Sequence, residues 1–490
     1  MTPYSPDRRT ALVFSGTGTH GAYHAGVLRA LQEAGVKIDV VAGQGIGAGA
    51  AALAAIDGGP RLWEPDGVWA GGAAGFYRWK ASMRLAGRVL AALGVIVAFP
   101  LVFLLVGLVV YPVGLLLQVM GLDLRGAVLA AYTEWLLTVF TGQGLPTVLP
   151  RLALIVLMGL AGVLLAATLA EHWRAPARRR SVGRWWWRLL EGPVDAGVAR
   201  DALARVLGQL VGGAPPGVTP PLPELGRRYA DVLADNLGQP GFRELLLVAT
   251  DLDTRQDLVG ALLREPFRRA FLAPRAGRER EAEVLDLAGP DGVHAMALLG
   301  AALTPPLVAD PQMLTFAPDR YWRGETHRLC DRPGALARLM VELEEAGVAQ
   351  VIVVSAVAPA TGPHRLQAPQ LDPRSRLGEF VMTAEAAALC DALTLSRLHF
   401  QAVYLVAPAH NAVGPFDAGG ARDEASDRWR GVDELLQAGY EDAYRQFIEP
   451  VVGASGEQLV TRAADSRVPK EQADGPWLFD ESDSSGETSR

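Results

Sequence analysis

The sequence contains little cysteine and little charge. Its 490 residues include two cysteines, Cys330 and Cys390, too few for a disulfide framework or a structural zinc site, and this favours a reducing compartment. Charged residues make up 20% of the chain and the net charge is −7, so the composition gives no support for nucleic-acid binding. Half of the residues are hydrophobic, which excludes a disordered chain and is high for a purely soluble enzyme.

An apolar leader is also missing from the first residues. Residues 1–10 are polar, carry two arginines and contain no apolar core segment, so we expect no cleavable signal peptide. The strongly apolar segments begin about 80 residues into the chain. We therefore expect them to interrupt a domain rather than to lead it.

Two stretches lack charge completely. Residues 89–120 and 152–170 contain no charged side chain. The first is long enough to cross a hydrocarbon core of about 30 Å, and the second is about the minimum for another span, so the sequence predicts spans at about residues 89–111 and 151–170. Membrane helices tolerate proline, although Pro112 also fits a helix end. A buried helical pair in a soluble core is the alternative.

Basic side chains lie on the outer flanks of these two stretches. Positive residues tend to remain cytoplasmic, so we expect a two-span hairpin in the cell inner membrane with the main domain in the cytoplasm. Tryptophans at 173 and 185–187 fit an interfacial belt on that side. Four basic residues precede the first stretch, six follow the second and two lie between: Arg78, Lys80, Arg84, Arg88; Arg174, Arg178, Arg179, Arg180, Arg184, Arg188; Arg125, Arg151.

Outside the apolar segment the sequence alternates between strand and helix patterns. An apolar run, a glycine-rich turn and a helical period follow one another twice within residues 11–56, which indicates an α/β fold with a parallel sheet. Further strands are predicted at residues 244–250, 351–357 and 402–407, and further helices at 295–302, 335–346 and 432–447.

These patterns divide the chain into five segments. The α/β domain is expected in two parts, on either side of the insertion. The tail is acidic and rich in serine, and we expect it to be disordered. In order the segments are residues 1–80 (first part), 81–190 (membrane hairpin with basic flanks), 191–239 (helical and linker region), 240–452 (second part) and 453–490 (tail).

The first glycine turn has the spacing of a dinucleotide-binding loop. Gly16, Gly18 and Gly21 spell G-x-G-x-x-G after a strand and before a helix, and Asp39 lies near the start of the next strand. Such glycines let a pyrophosphate approach the helix N-terminus. A tight turn without a ligand is the alternative.

The second glycine turn has the form of a nucleophile elbow. Small residues on either side of the presenting position let a strained strand-to-helix turn expose one side chain, as in G-x-S-x-G. Here Gly43 and Gly47 supply the small flanks, and the presenting position holds Gly45. Glycine has no hydroxyl, so no acyl-enzyme can form at this position.

With these two turns the sequence resembles the patatin-like phospholipase family. The resemblance implies a three-layer α/β domain with a central, mostly parallel sheet, interrupted here by a two-helix transmembrane insertion. It also implies hydrolysis of lipid acyl esters by a serine–aspartate dyad beside an oxyanion loop. The matching stretches are residues 11–53, 245–261, 298–308, 346–356 and 433–447.

Carried over residue by residue, the resemblance assigns an incomplete site. The family's aspartate falls at Arg323, or at Asp331 if the loop shifts, whereas Asp417 has a suitable local motif but comes too late in the chain. The nucleophile position is Gly45. The oxyanion-type loop is Gly16, Thr17, Gly18, Thr19, His20 and Gly21, with Thr17 in place of a glycine and His20 in place of the usual arginine or lysine.

The sequence therefore predicts a pseudoenzyme that binds lipid of the inner leaflet or an unknown protein partner. An active acyl hydrolase with unusual residues, such as a Thr17–His20 pair, is the first alternative. A dinucleotide-binding protein is the second. His20 and His24 lie one helical turn apart but lack a third ligand, so we predict neither a metal nor a cofactor.

Overall fold

The computed structural model describes residues 4–69, 73–122, 124–174, 192–212, 220–273, 280–318, 322, 324–360 and 372–453. In chain order the strands are β1 (Thr10–Ser15), β2 (Val40–Gly43), β3 (Arg78–Trp79), β4 (Val194–Asp195), β5 (Glu244–Asp251), β6 (Gln256–Leu262), β7 (Ala282–Asp286), β8 (Gln312–Thr315), β9 (Thr326–Cys330), β10 (Gln350–Ser355), β11 (Ala402–Val406), β12 (Ala421–Asp423) and β13 (Arg428–Arg430).

The helices are likewise numbered in chain order. They are α1 (His20–Glu33), α2 (Gly47–Ala55), α3 (Ala81–Leu105), α4 (Gly107–Val119), α5 (Arg125–Val139), α6 (Leu145–Arg174), α7 (Gly197–Val211), α8 (Leu222–Asn236), α9 (Phe267–Leu272), α10 (Ala295–Ala302), α11 (Leu336–Glu345), α12 (Pro373–His399) and α13 (Val432–Ala443). A π-helical segment, Tyr444–Gly453, continues α13. The 3₁₀ helices are Gly59–Leu62, Ala73–Gly75 and Pro290–His294.

A nine-stranded sheet forms the centre of the domain. Seven strands follow the order β11-β10-β1-β2-β5-β6-β7, and β9 pairs with both β5 and β8. Parallel pairs join β11 to β10, β10 to β1, β1 to β2, β2 to β5 and β6 to β7, while β5–β6, β5–β9 and β8–β9 are antiparallel. The predicted α/β class with a mostly parallel sheet is confirmed.

Helices cover both faces of the sheet, which makes three layers. Leu12 and Phe14 of β1 face one apolar cluster, which includes α1, α2, α7, α8, α10 and α13. Ala11 and Val13 face a second cluster with α9, α11 and α12. Because both faces are covered, the central strands are continuously apolar, and this explains why short apolar runs located β1, β2 and β10 in the sequence.

Glycine lets α1 and α13 pack against each other at backbone distance. A Cβ atom on Gly26 would lie 1.9 Å from the carbonyl oxygen of Leu436, and one on Gly439 would lie 2.3 Å from that of Tyr23. No side chain fits at such separations. The two helices therefore hold the first glycine turn, at the start of α1, against the last part of the domain.

The inserted helices leave the domain through a narrow neck. Strands β3 and β4 pair antiparallel, with Trp79 opposite Val194, and the backbone N–H of Lys80 donates to the carbonyl of Pro193 at 2.8 Å. The Asp310 carboxylate accepts the Gly192 N–H at 2.7 Å and pairs with the Lys80 ammonium. Both ends of the insertion are thus fixed at one point of the domain.

The insertion contains one helix that could cross a membrane. Among the described residues only Ala81–Val119, which joins α3 and α4, is long and apolar enough. The second predicted span falls in α6, where the apolar part found is the shorter Leu145–Gly159. A two-helix transmembrane insertion is therefore not confirmed. Pro112 lies inside α4 rather than at a helix end.

Several predictions concern residues outside the described ones, namely the acidic tail beyond residue 453, the tryptophans at 185–187 and residues 213–219 within the predicted helical and linker region 191–239. The strand pattern missed β6 and β9, which pair antiparallel with β5, as well as β7, which pairs with β6, and β8, which pairs with β9. It also missed α12, a helix of 27 residues.

We expect Gly26→Ala to destabilise the domain by about 1–3 kcal/mol, the usual cost of an atom forced into a packed site, although alanine favours helix. The midpoint of thermal unfolding in detergent should fall by several degrees. Gly75→Ala is the matched control, since a Cβ there meets Val198 at an ordinary 3.5 Å. Equal midpoints for the two variants would show that α1 and α13 are not in backbone contact.

Candidate functional site

The two glycine turns meet at one edge of the sheet, because β1 and β2 are parallel neighbours. Gly45 has φ +56°, a left-handed conformation that favours glycine. The next residue, Ile46, donates its N–H to the Gly16 carbonyl at 2.9 Å. A Cβ atom on Gly45 would lie 2.3 Å from that same carbonyl oxygen. The nucleophile position is therefore closed to any side chain, serine included.

The first turn is held by the segment around Pro415. The Thr19 N–H donates to the Pro415 carbonyl at 2.8 Å, and the Thr19 hydroxyl donates to the Gly414 carbonyl at 2.7 Å. Gly18 has φ +63°, and a Cβ on it would lie 1.7 Å from the Pro415 oxygen. Within the described residues the N–H groups of Thr17 and Gly18 have no acceptor. Free backbone N–H groups of this kind are what an oxyanion loop presents.

Asp331 lies beside the elbow. It follows β9, its N–H donates to the Thr304 carbonyl at 2.8 Å, and it is buried. One carboxylate oxygen, Oδ2, lies 3.2 Å from the point where a Cβ of Gly45 would be. Of the two residues given above for the aspartate position, the structure brings Asp331 to the site, whereas Arg323 lies outside the described residues.

A second carboxyl group, which the sequence did not indicate, completes the cluster. Glu385 of α12 is buried, and its Oε1 accepts the Thr17 hydroxyl at 2.7 Å. The same hydroxyl lies 3.2 Å from Oδ2 of Asp331. A threonine hydroxyl has one hydrogen to donate. Both contacts are hydrogen bonds only when one of the two carboxyl groups carries a proton.

Burial explains why one of the two carboxyl groups keeps its proton at neutral pH. Removal from water, followed by the nearby Glu385 carboxyl, raises the pKa of Asp331 to about 8, against smaller opposing contributions from the Thr17 hydroxyl and neighbouring backbone N–H groups. Two carboxyl groups in one dry site cannot both ionise cheaply. At neutral pH the Asp331–Glu385 pair therefore retains a proton.

Two buried histidines adjoin this pair. His20 Nδ1 lies 3.5 Å from Glu385 Oε2, and in the described part of the chain neither ring nitrogen of His20 has a hydrogen-bond partner. His24 Nε2 lies 3.0 Å from the Ser15 carbonyl, and burial, then His20, lowers the pKa of His24 to about 3. His24 is thus neutral. No group of three or more potential metal ligands occurs among the described residues.

The remaining candidates serve other contacts. Asp39 accepts the Thr10 N–H at 2.9 Å, at the sheet edge opposite the glycine turn, so it cannot meet a ribose bound there. Ser15 accepts the Gln44 amide at 2.8 Å. Asp417 accepts the Ser375 hydroxyl at 3.3 Å.

A small apolar cavity borders the elbow on its other side. Its walls include Ile46, Trp69, Phe76, Leu203 and Leu303. It holds about 10 Å³ of free space, roughly the room needed for one water molecule. An acyl chain does not fit in the cavity as it stands.

These features define a class of site, a strand-to-helix elbow beside a glycine-rich loop with free N–H groups. The comparison with family models agrees, because residues 12–88 match the Patatin family, described as patatin-like phospholipase. The resemblance found in the sequence is confirmed over that stretch, which contains both glycine turns. No curated protein matches the chain.

Among solved structures the chain is similar to VipD from Legionella pneumophila. The two are 12% identical, the match covers 90% of this chain and 67% of that chain, and the TM-score is 0.26. A score this low supports no argument about shape or activity. The fold assignment therefore depends on the sheet, the two turns and the family match.

Gly45→Ser should fail to create a working elbow and should destabilise the protein. The variant combines left-handed strain of about 1–2 kcal/mol with a collision against the Gly16 carbonyl. Gly35→Ser is the matched control, because Gly35 has φ +65° and nothing within 4 Å of a Cβ. Thermal unfolding should show a clearly larger loss for Gly45→Ser. Equal losses would mean that the elbow has room for a side chain.

Stability should also depend on pH through the carboxyl pair. The pKa of Asp331 is higher in the folded state than the unfolded value near 4, so the folded state binds more protons between pH 4 and about 8. Stability should therefore fall as the pH rises through this window, by at most about 1.4 kcal/mol per unit. Asp331→Asn should flatten that slope in urea unfolding measured at several pH values, whereas Asp253→Asn, at an exposed ion pair, should not. An unchanged slope in Asp331→Asn would contradict the assignment.

Proposed function

We propose that this chain is a membrane-anchored, patatin-like protein that does not hydrolyse acyl esters at its elbow. The observation that carries the proposal is Gly45, where no nucleophile is present and the Gly16 carbonyl occupies the space that a side chain needs. Loss of the nucleophile removes most of the rate in enzymes of this type.

The residues around the elbow support a site that is closed to substrate. Thr17, Asp331 and Glu385 are all buried, and the Thr17 hydroxyl contacts both carboxyl groups. The Thr17 hydroxyl is engaged by two carboxyl groups that share a proton, so it is poorly prepared to attack a carbonyl. The neighbouring apolar cavity has no room for an acyl chain.

The insertion supports anchoring in a membrane. The surface of α3 and α4 is apolar and exposed, with side chains such as Val95, Leu108 and Leu116 facing outward. Burying this surface in lipid removes a patch that a water-exposed protein rarely displays. We propose two spans, the second in α6, with the main domain at the cytoplasmic face of the inner membrane, as the flanking basic residues indicate.

The proposed ligand is membrane lipid, with a protein partner as the other possibility. The exposed apolar side chains of α3 and α4 offer a surface against which acyl chains could pack. Lipid that remains bound during purification in detergent, identified by mass spectrometry, would name the class.

Purified full-length protein in detergent should release product from a short-chain nitrophenyl ester and from phosphatidylglycerol no faster than buffer does. Gly45→Ser should be equally inactive, because its serine collides with the Gly16 carbonyl. A known esterase in the same detergent controls for substrate access. Turnover that survives repurification would contradict the proposal.

One observation favours a second function, an acyl hydrolase with a relocated nucleophile. The Thr17 hydroxyl lies within hydrogen-bond distance of two possible bases, Asp331 and Glu385. Thr17 Oγ1 would attack the ester carbon, a carboxylate would accept the hydroxyl proton, and the N–H groups of Thr17 and Gly18 would hold the oxyanion. The bond from the ester carbon to the alcohol oxygen would then break, and the alcohol would leave with that proton. Water would hydrolyse the threonyl ester, which releases the fatty acid and restores the hydroxyl.

This second function makes a different prediction in the same assay. The unchanged protein would be active, and Thr17→Val, which keeps the side-chain volume, would abolish turnover. Thr19→Val is the matched control, because the Thr19 hydroxyl bonds the Gly414 carbonyl and not a carboxyl group. Activity unaffected by Thr17→Val would exclude Thr17 as the nucleophile.

A further inference from the structure

Leu307 combines two unfavourable features. Its side chain is 88% exposed, and its φ of +69° is in the left-handed region, where a bulky residue is a genuine outlier. The Val308 N–H donates to the Pro306 carbonyl at 2.8 Å, so Leu307 is the central residue of a γ-turn with positive φ, a rare and strained form. Strained residues of this kind cluster where a function requires them.

The turn is built to be rigid. Pro305 and Pro306 precede Leu307 and restrict the backbone on that side. The Ala309 N–H returns to the Pro305 carbonyl at 3.4 Å. The Leu307 side chain is therefore held outward by the backbone and does not reach solvent through flexibility.

The turn adjoins the neck through which the inserted helices leave the domain. The Val308 carbonyl accepts the N–H of Val194 in β4 at 2.8 Å. Three residues beyond Leu307, Asp310 bonds both Gly192 and Lys80. Helix α3 begins at Ala81, the residue after Lys80. Leu307 thus lies at the place where the chain leaves the domain for the apolar helix.

Charge around the neck favours a lipid surface as the occupant. Arg78 in β3 and Arg84 and Arg88 in the first turns of α3 are exposed basic residues, and such residues near a membrane attract anionic head groups. An apolar side chain beside a neck that carries basic residues suits an interface where head groups meet acyl chains.

We propose that Leu307 is an interfacial anchor that inserts into the leaflet from which α3 enters the membrane. This inference rests on the proposed membrane anchoring. The γ-turn fixes the side chain toward the lipid, and burial of the leucine offsets the strain of its backbone. Leu307 then forms a second lipid contact beside the hairpin and orients the domain on the surface.

The test places an environment-sensitive fluorescent label on residue 307 of the full chain. Cys390 is exposed and is replaced by serine, whereas Cys330 is buried and is retained. Leu307→Cys is labelled and reconstituted into vesicles of phosphatidylethanolamine and phosphatidylglycerol. Leu395→Cys is the matched control, since Leu395 is 53% exposed and lies about 31 Å along α12 from Arg374, whose guanidinium bonds the Tyr77 carbonyl beside the neck.

Flotation of the vesicles first tests the membrane anchoring itself. If the chain floats, the label at 307 should be several-fold less accessible to iodide than the label at 395, and lipids with a quencher near the head group should quench it. A floating chain whose two labels are equally accessible overturns the anchor but not the membrane location. Protection at 307 that grows with the protein-to-lipid ratio would assign the contact to a second copy and overturn the lipid anchor. A chain that does not float overturns both proposals.

Discussion

The hydrogen bond from the Ile46 N–H to the Gly16 carbonyl is the contact on which the site depends. At 2.9 Å it joins the two glycine turns directly, backbone to backbone. That approach requires a residue without a side chain at position 45, because the Gly16 oxygen lies where a Cβ would be. The absent serine is therefore part of how the two turns pack. The site therefore differs from a serine elbow in the packing of both turns as well as in the residue at position 45.

The polar groups around the elbow form one unit because none of them reaches water. Thr17 bridges Asp331 and Glu385, and His20 lies against the outer oxygen of Glu385. A buried network of this kind is stabilising only when its protons are complete. The carboxyl pair satisfies the threonine by keeping a proton that an exposed aspartate loses near pH 4. The polar side chains at the elbow therefore bond within this cluster and not to water.

Much of the fold could be predicted because local signals coincide with it. The apolar runs of β1, β2 and β10 and the small-residue helix α10 fall where the sequence placed them, since strands covered on both faces have continuous apolar sequences. The candidate site was harder to predict from the sequence. Asp331 follows a short antiparallel strand that has no periodic pattern, and Glu385 lies in a long helix whose charged residues look like a solvated face. Their meeting with Thr17 depends on packing across more than 300 residues of chain, which local sequence does not record.

The loop after α10 connects the neck to the carboxyl pair through a few hydrogen bonds. The Leu303 carbonyl accepts the Tyr77 hydroxyl at 2.9 Å, the Thr304 carbonyl accepts the Asp331 N–H at 2.8 Å, and Asp310 holds the two ends of the insertion. Within residues 303–310, one short stretch of chain therefore contacts both the attachment point of the inserted helices and the residue whose carboxyl group lies beside Gly45.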